Sequence, residues 1–125
     1  MASPIRQTRG KAAYRRGLWA EWQAKWLLRL KFYRILGQRV QTRAGEVDIV
    51  ARQGRTLVIV EVKARPTMAE ALEAVHPRQQ VRLARAAEIL LAEYGGRVAD
   101  MTIRFDIIQV TPRQFPVHLV DAWRP

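Results

Sequence analysis

Eight consecutive residues, Leu57-Val58-Ile59-Val60-Glu61-Val62-Lys63-Ala64, set the tightest limit on what this chain can fold into. A short aliphatic run dominated by β-branched side chains describes a strand covered on both faces, and therefore a sheet that carries helices. Glu61 and Lys63 interrupt the run two residues apart, on one face of the strand. An unpaired charge buried there costs on the order of several kcal/mol or shifts its pKa until it neutralises, so both groups require compensation.

A partner for them lies just upstream. Thr56–Ala64 and Gly45–Arg52 read as two strands joined by the turn Arg52-Gln53-Gly54-Arg55, which makes them an antiparallel hairpin. Along Gly45-Glu46-Val47-Asp48-Ile49-Val50, Glu46 and Asp48 fall on one face, with Val47 and Ile49 on the other. Asp48 and Glu61 can then share a surface with Lys63 close by. Two readings stand at this point. One is a cross-strand ion pair of Asp48 with Lys63 on a solvated face. The other is a small pocket in which two carboxylates hold a hard divalent cation and the lysine acts on a water or a phosphate beside it. Glu21 has the same two options: a helical pair with Lys25, or a further ligand to that site.

The surrounding pattern completes an α/β chain. A loose basic tail is expected over residues 1–12 and a single domain over 13–125. A helix from about Tyr14 to about Lys31 carries Trp19, Trp22, Trp26 and Leu30 at helical spacing, expected to face the core beside Leu18 and Leu27. Tyr33–Gln41 reads as a first strand. After Pro66, Thr67 and Glu70 match a capping box. His76-Pro77 breaks that helix, and a second runs from about Arg78 to Tyr94, closed by Gly95-Gly96. Met101–Val110 and Val117–Ala122 add two more strands. The expected architecture is a mixed sheet flanked by helices. His76 reads as a turn residue, and His118 reads as having no partner.

Charge then narrows the function. Residues 1–43 hold eleven Lys and Arg against one acid, Glu21, whereas residues 44–125 hold eleven against ten, for an overall formal charge of +11. So polarised a surface suits a polyanion, with nucleic acid favoured over an anionic membrane. The chain has no cysteine, which removes thiolate metal sites and cysteine nucleophiles and fits a reducing compartment, the cytoplasm. No apolar run approaches the roughly 18 residues of a membrane span.

The doublet Gly45-Glu46-Val47-Asp48 and Val60-Glu61-Val62-Lys63-Ala64-Arg65 resembles the hallmark of the YraN family of bacterial proteins. Gly17, Glu21 and Ala24 also fit that family, as do Ile35-Leu36, Gln80, Leu83 and Arg104-Phe105-Asp106. The family looks like a branch of the PD-(D/E)xK restriction-endonuclease-like superfamily, similar to Holliday junction resolvases. The resemblance implies a restriction-endonuclease-like fold and a metal-dependent nuclease acting on DNA, branched or otherwise structured. It makes Asp48 and Glu61 ligands of Mg²⁺ or Mn²⁺, with Glu21 completing the acidic cluster. Lys63 positions the attacking water, and Gln80 assists from its helix. Arg65 holds a phosphate or the fold, and Arg104 and Asp106 read as structural; from the charge of the basic half, Arg15, Arg16, Lys25 and Arg43 are the further expected nucleic-acid contacts. One site per chain makes a homodimer the form suited to a symmetric junction. The sequence departs from the family pattern at Phe32, where glycine is usual, and at Arg39, Gln41 and Gln79. Two rival readings are a nucleic-acid-binding module without chemistry and a structural protein that docks a partner through its tryptophan-rich helix.

Overall fold

The computed structural model describes residues 4–94 and 101–125, with side chains from Gly17 onward. The side chains of Arg15 and Arg16 and the expected Gly95-Gly96 helix stop therefore lie outside the described residues. In chain order the elements are α1 (Pro4–Leu30), β1 (Arg34–Thr42), β2 (Gly45–Gln53), β3 (Thr56–Ala64), α2 (Met68–Glu73), α3 (Pro77–Tyr94), β4 (Thr102–Val110) and β5 (Val117–Trp123). The first helix starts at Pro4, well before Tyr14, with proline at a first-turn position that lacks an amide partner in any case.

The five strands form one sheet in chain order, β1-β2-β3-β4-β5. Every pairing is antiparallel except β3 with β4, which α2 and α3 connect as a parallel crossover. This is the mixed sheet flanked by helices expected of a restriction-endonuclease-like α/β protein. The aliphatic run of β3 lies at its centre, with Leu57, Val58, Ile59 and Val60 fully or almost fully buried. Leu57 and Ile59 pack toward α3, against Leu83, Ala86, Ala87 and Leu90. Val58 and Val60 pack toward α1.

The α1 face turned to the sheet is Ala20, Ala24 and Leu28, not the tryptophans. Trp19, Trp22, Trp26 and Leu30 are exposed, as is Leu18. The expectation that they enter the core is corrected. Small residues let the helix backbone approach a flat sheet, and four bulky side chains at the same contact would hold it away.

Local signals behave as their chemistry requires. The Thr67 side chain accepts the Glu70 amide at 3.1 Å, starting α2. The His76 carbonyl accepts the Gln80 amide at the start of α3, with Pro77 following as the first helical residue. At the end of α1 the Tyr33 amide reaches the Leu28 carbonyl and the Phe32 amide the Arg29 carbonyl, which is a Schellman cap with Phe32 at φ 66. Among the described residues, no helix is long and apolar enough to cross a membrane.

Candidate functional site

The β2–β3 ladder stops at Ile49↔Val60, and from there the two strands separate. Asp48 and Glu61 occupy the fork and replace the missing backbone bonds with their own carboxylates. The Asp48 amide donates to Glu61 Oε2 at 3.2 Å, and the Val62 amide donates to Asp48 Oδ2 at 2.8 Å. Each acid is thus fixed by the strand that carries the other. Strand alternation breaks here as well. Val47 packs with the α3-side core and Ile49 with the α1-side core, so the expectation that they share a face is corrected. On β1, Arg39 takes a positive φ of 49 between the pairs Gln38↔Ile49 and Val40↔Val47, beside that break.

Asp48, Lys63, Arg65 and Glu21 line one recess of about 530 Å³, floored by Gly17 and Ala20 of α1. Glu61 stands behind it, 3% exposed, its Oε1 accepting Gln79 Nε2 at 3.1 Å from α3. Glu21 accepts Arg39 Nε at 2.7 Å; Arg39, not Lys25, is its ion-pair partner.

The electrostatics follow from burial. Desolvation raises the Glu61 carboxyl to about 7, and the neighbouring Asp48 carboxylate adds to the rise against the pull of Lys63 and Arg82. Asp48 is also raised, again chiefly by desolvation, with the Val62 amide and Lys63 opposing. Burial raises Glu21 as well, even though Arg39 pulls it down. Three acids are therefore held above their ordinary range around one recess, in a form that gains from added positive charge.

The fit to a cation is one of donor chemistry. Two carboxylates and solvent-facing space are what Mg²⁺ commonly takes from a protein, the rest of its shell being water and substrate phosphate. Among the described residues, no group of three or more His, Cys, Asp and Glu is gathered closely enough to hold a metal ion. Asp48 and Glu61 accordingly fit as a pair of ligands, with Glu21 tied to Arg39.

The remaining sequence-derived site residues are dispersed. Gln80 turns its amide to the Val75 carbonyl at 3.1 Å, and its neighbour Gln79 is the residue that meets Glu61. Arg43 is exposed in the β1–β2 turn. Lys25 lies 5.8 Å from the Trp26 ring centroid, on the tryptophan side of α1. Arg65 is exposed at the rim of the recess, its own carbonyl anchored by Gln109.

The model of the uncharacterised protein family UPF0102 matches residues 20–110, which include the fork, Glu21, Lys63 and Arg65 of the recess, and strands β1 to β4. The chain belongs to the UPF0102 family. This is the YraN family of the sequence resemblance. A UPF0102 protein of Parvibaculum lavamentivorans is 55% identical over 116 residues, 93% of this chain and 86% of that protein. One from Caulobacter vibrioides is 47% identical over 123 residues, 98% of each chain.

In this UPF0102 chain a second charged cluster stabilises the sheet behind the site. Arg104 grips both oxygens of the fully buried Asp106 at 2.9 Å each and reaches the Tyr33 hydroxyl at 2.8 Å. His118 has two partners, contrary to expectation: Asp106 Oδ2 at 2.7 Å and Lys31 Nζ at 3.0 Å. An ammonium only donates, so Nδ1 accepts from Lys31 and Nε2–H donates to Asp106. Burial alone would raise Asp106, but His118, Arg104 and the Asp121 amide outweigh it and hold the carboxyl below its ordinary range. No signal in the sequence joins Lys31 to His118, because the two lie 87 residues apart along the chain.

Proposed function

We propose that this protein is a metal-dependent nuclease acting on DNA, with Asp48, Glu61 and Lys63 as its reacting centre. The observation that carries this reading is the fork itself. A buried carboxylate, Glu61, and a half-buried one, Asp48, are locked crosswise onto each other's strands, with no salt bridge to either among the described residues, and a lysine opens onto the same recess. A fold has little reason to hold two desolvated acids together unless a ligand compensates them.

Mg²⁺ or Mn²⁺ held by Asp48 and Glu61 would supply Lewis-acid polarisation of the phosphate and neutralise charge developing on it. The Val62 and Asp48 amides hold the Asp48 and Glu61 carboxylates in place. Gln79 orients Glu61 from behind. Lys63 brings positive charge to the recess, where it can position a water and stabilise the phosphate. Arg65 at the rim would hold the neighbouring phosphate. Symmetric cleavage of a four-way junction would require a homodimer, and the absence of cysteine suits the cytoplasm.

The test is cleavage of junction, flap and linear DNA with Mg²⁺ or Mn²⁺. Asp48→Ala and Lys63→Ala should each lower the rate by roughly a hundredfold or more, the scale of losing one preorganised electrostatic group. Unchanged rates in both variants would end the reading. A second reading, a nucleic-acid-binding protein that retains the fold without the chemistry, draws support from the Glu21–Arg39 pair, which withdraws a third acid. It predicts salt-sensitive binding, no cleavage with either metal, and no loss of binding in Asp48→Ala.

A further inference from the structure

The tryptophans left outside the core form a ridge along α1. Trp19, Trp22 and Trp26 remain 37%, 55% and 45% exposed, and Phe115 opposite them is 92% exposed. Two grooves flank the ridge. One, of about 460 Å³, lies between Trp22 and Trp26 on one side and Phe115 and Pro116 on the other. The second, of about 690 Å³, runs between Trp19 and the end of β3. Gln114 borders both grooves, while Ala64 and Arg65 border both the second groove and the carboxylate recess. Shared lining residues thus join the recess of Asp48 and Lys63, past Trp19, to the groove of Trp22 and Trp26.

The charges on the track identify its occupant. Arg29 lies 5.3 Å and Lys25 5.8 Å from the Trp26 ring centroid. Arg113 lines the first groove and Arg65 the second, and no acid lines either among the described residues. Aromatic faces interleaved with cations match a strand whose bases are free to stack and whose phosphates require neutralising. A duplex keeps its base faces covered. Trp19 to Trp26 spans about 10 Å of helix, room for about three nucleotides.

We propose that the Trp19–Trp22–Trp26 ridge stacks unpaired bases, so that the substrate carries a single-stranded segment next to the phosphate presented at Lys63. This rests on nucleic acid being the ligand of the recess. It adds a substrate class, nucleic acid with an unpaired strand such as a flap or a gap, and three positioning residues remote from the carboxylates.

The experiment measures fluorescence anisotropy of a labelled oligo-dT of about a dozen nucleotides and of a blunt duplex of the same length, both in EDTA. The full chain is compared with the Trp22→Ala/Trp26→Ala double variant, whose fold is checked by circular dichroism. Oligo-dT should bind more tightly than duplex and quench tryptophan emission. The double variant should lose roughly fivefold to a hundredfold of its oligo-dT affinity for each base unstacked, with duplex binding and the salt slope nearly unchanged. Oligo-dT affinity equal to that of the full chain would overturn the proposal. So would a dimer that the double variant dissociates while oligo-dT affinity stays constant, since the ridge would then belong to a second copy. The assay is independent of cleavage. Stacking lost in the double variant of a protein that cuts nothing sinks the nuclease reading and leaves the ridge standing. Flap cleavage undisturbed in the double variant, with oligo-dT binding intact, does the reverse.

Discussion

Phe32 and Glu61 show two ways in which one residue is held at a local cost. Phe32 occupies the left-handed position of the α1 cap, φ 66, with its side chain 92% exposed, so no packing returns what the conformation costs. Glycine is free of that penalty. Phe32→Gly should therefore stabilise the protein by about 1 kcal/mol, read as a higher urea midpoint at unchanged slope; an unchanged or lower midpoint would refute the cap assignment. For Glu61 the cost is desolvation, and its sign sets a pH dependence. Its ordinary pKa of 4.5 rises to about 7 in the fold. Between those values the folded state keeps a proton that the unfolded chain releases, so stability present below about pH 4.5 is lost as pH climbs toward 7. In EDTA the urea midpoint should fall over that window, and Glu61→Gln should flatten the fall. Mg²⁺ should stabilise wild type more at pH 8 than at pH 6, because its ligands must be deprotonated. Equal slopes for wild type and Glu61→Gln would remove the buried carboxylate as the cause.

At the scale of elements, the strands were legible and one helix face was not. The aliphatic run of β3 with its two misplaced charges announced the central strand and pointed to the candidate recess beside it. The turn at Gly54 announced the hairpin, and Pro77 the break between α2 and α3. The α1 face was misread because hydrophobic periodicity weighs side chains by size. Trp19, Trp22, Trp26 and Leu30 recur at helical spacing, but so do Ala20, Ala24 and Leu28, and the sheet takes the smaller set. The separation of β2 from β3 beyond Ile49↔Val60 was invisible for a different reason: it is a property of two strands together, and regular alternation within either one conceals it. The same holds for Gln79, whose reach to Glu61 depends on where α3 lies over the sheet. The α1 assignment predicts an inversion of the usual ranking. Ala24→Leu should cost about 1–3 kcal/mol through overpacking, whereas Trp22→Ala, an exposed site, should stay within about 0.5 kcal/mol. Urea denaturation of the two variants decides it, and a Trp22→Ala cost above that of Ala24→Leu would return the tryptophans to the core.

For the molecule as a whole, the quantity that sequence conveys without any fold is the charge asymmetry. Ten of the eleven acids lie after residue 43, so the basic half has few internal partners to neutralise it. The structure gives that half a direction. α1 crosses one side of the sheet with Glu21 turned to the recess and with Lys25 and Arg29 against Trp26 of the aromatic ridge. Binding to DNA should accordingly be dominated by counterion release, its logarithm falling linearly with the logarithm of salt by about 0.9 for each phosphate neutralised. Residues 1–12 contribute Arg6, Arg9 and Lys11. Deleting them should make the salt slope shallower by up to about one unit per cation that contacts a phosphate, while the ratio of oligo-dT to duplex affinity stays put, because stacking is not an ionic term. A double charge reversal at Lys25 and Arg29 should reduce both slope and ratio, since those cations sit on the aromatic faces as well as near the strand. Titrations at several salt concentrations separate the two cases, and a deletion that changes the ratio but not the slope would mean that the N-terminal cations read the strand and do not merely attract it.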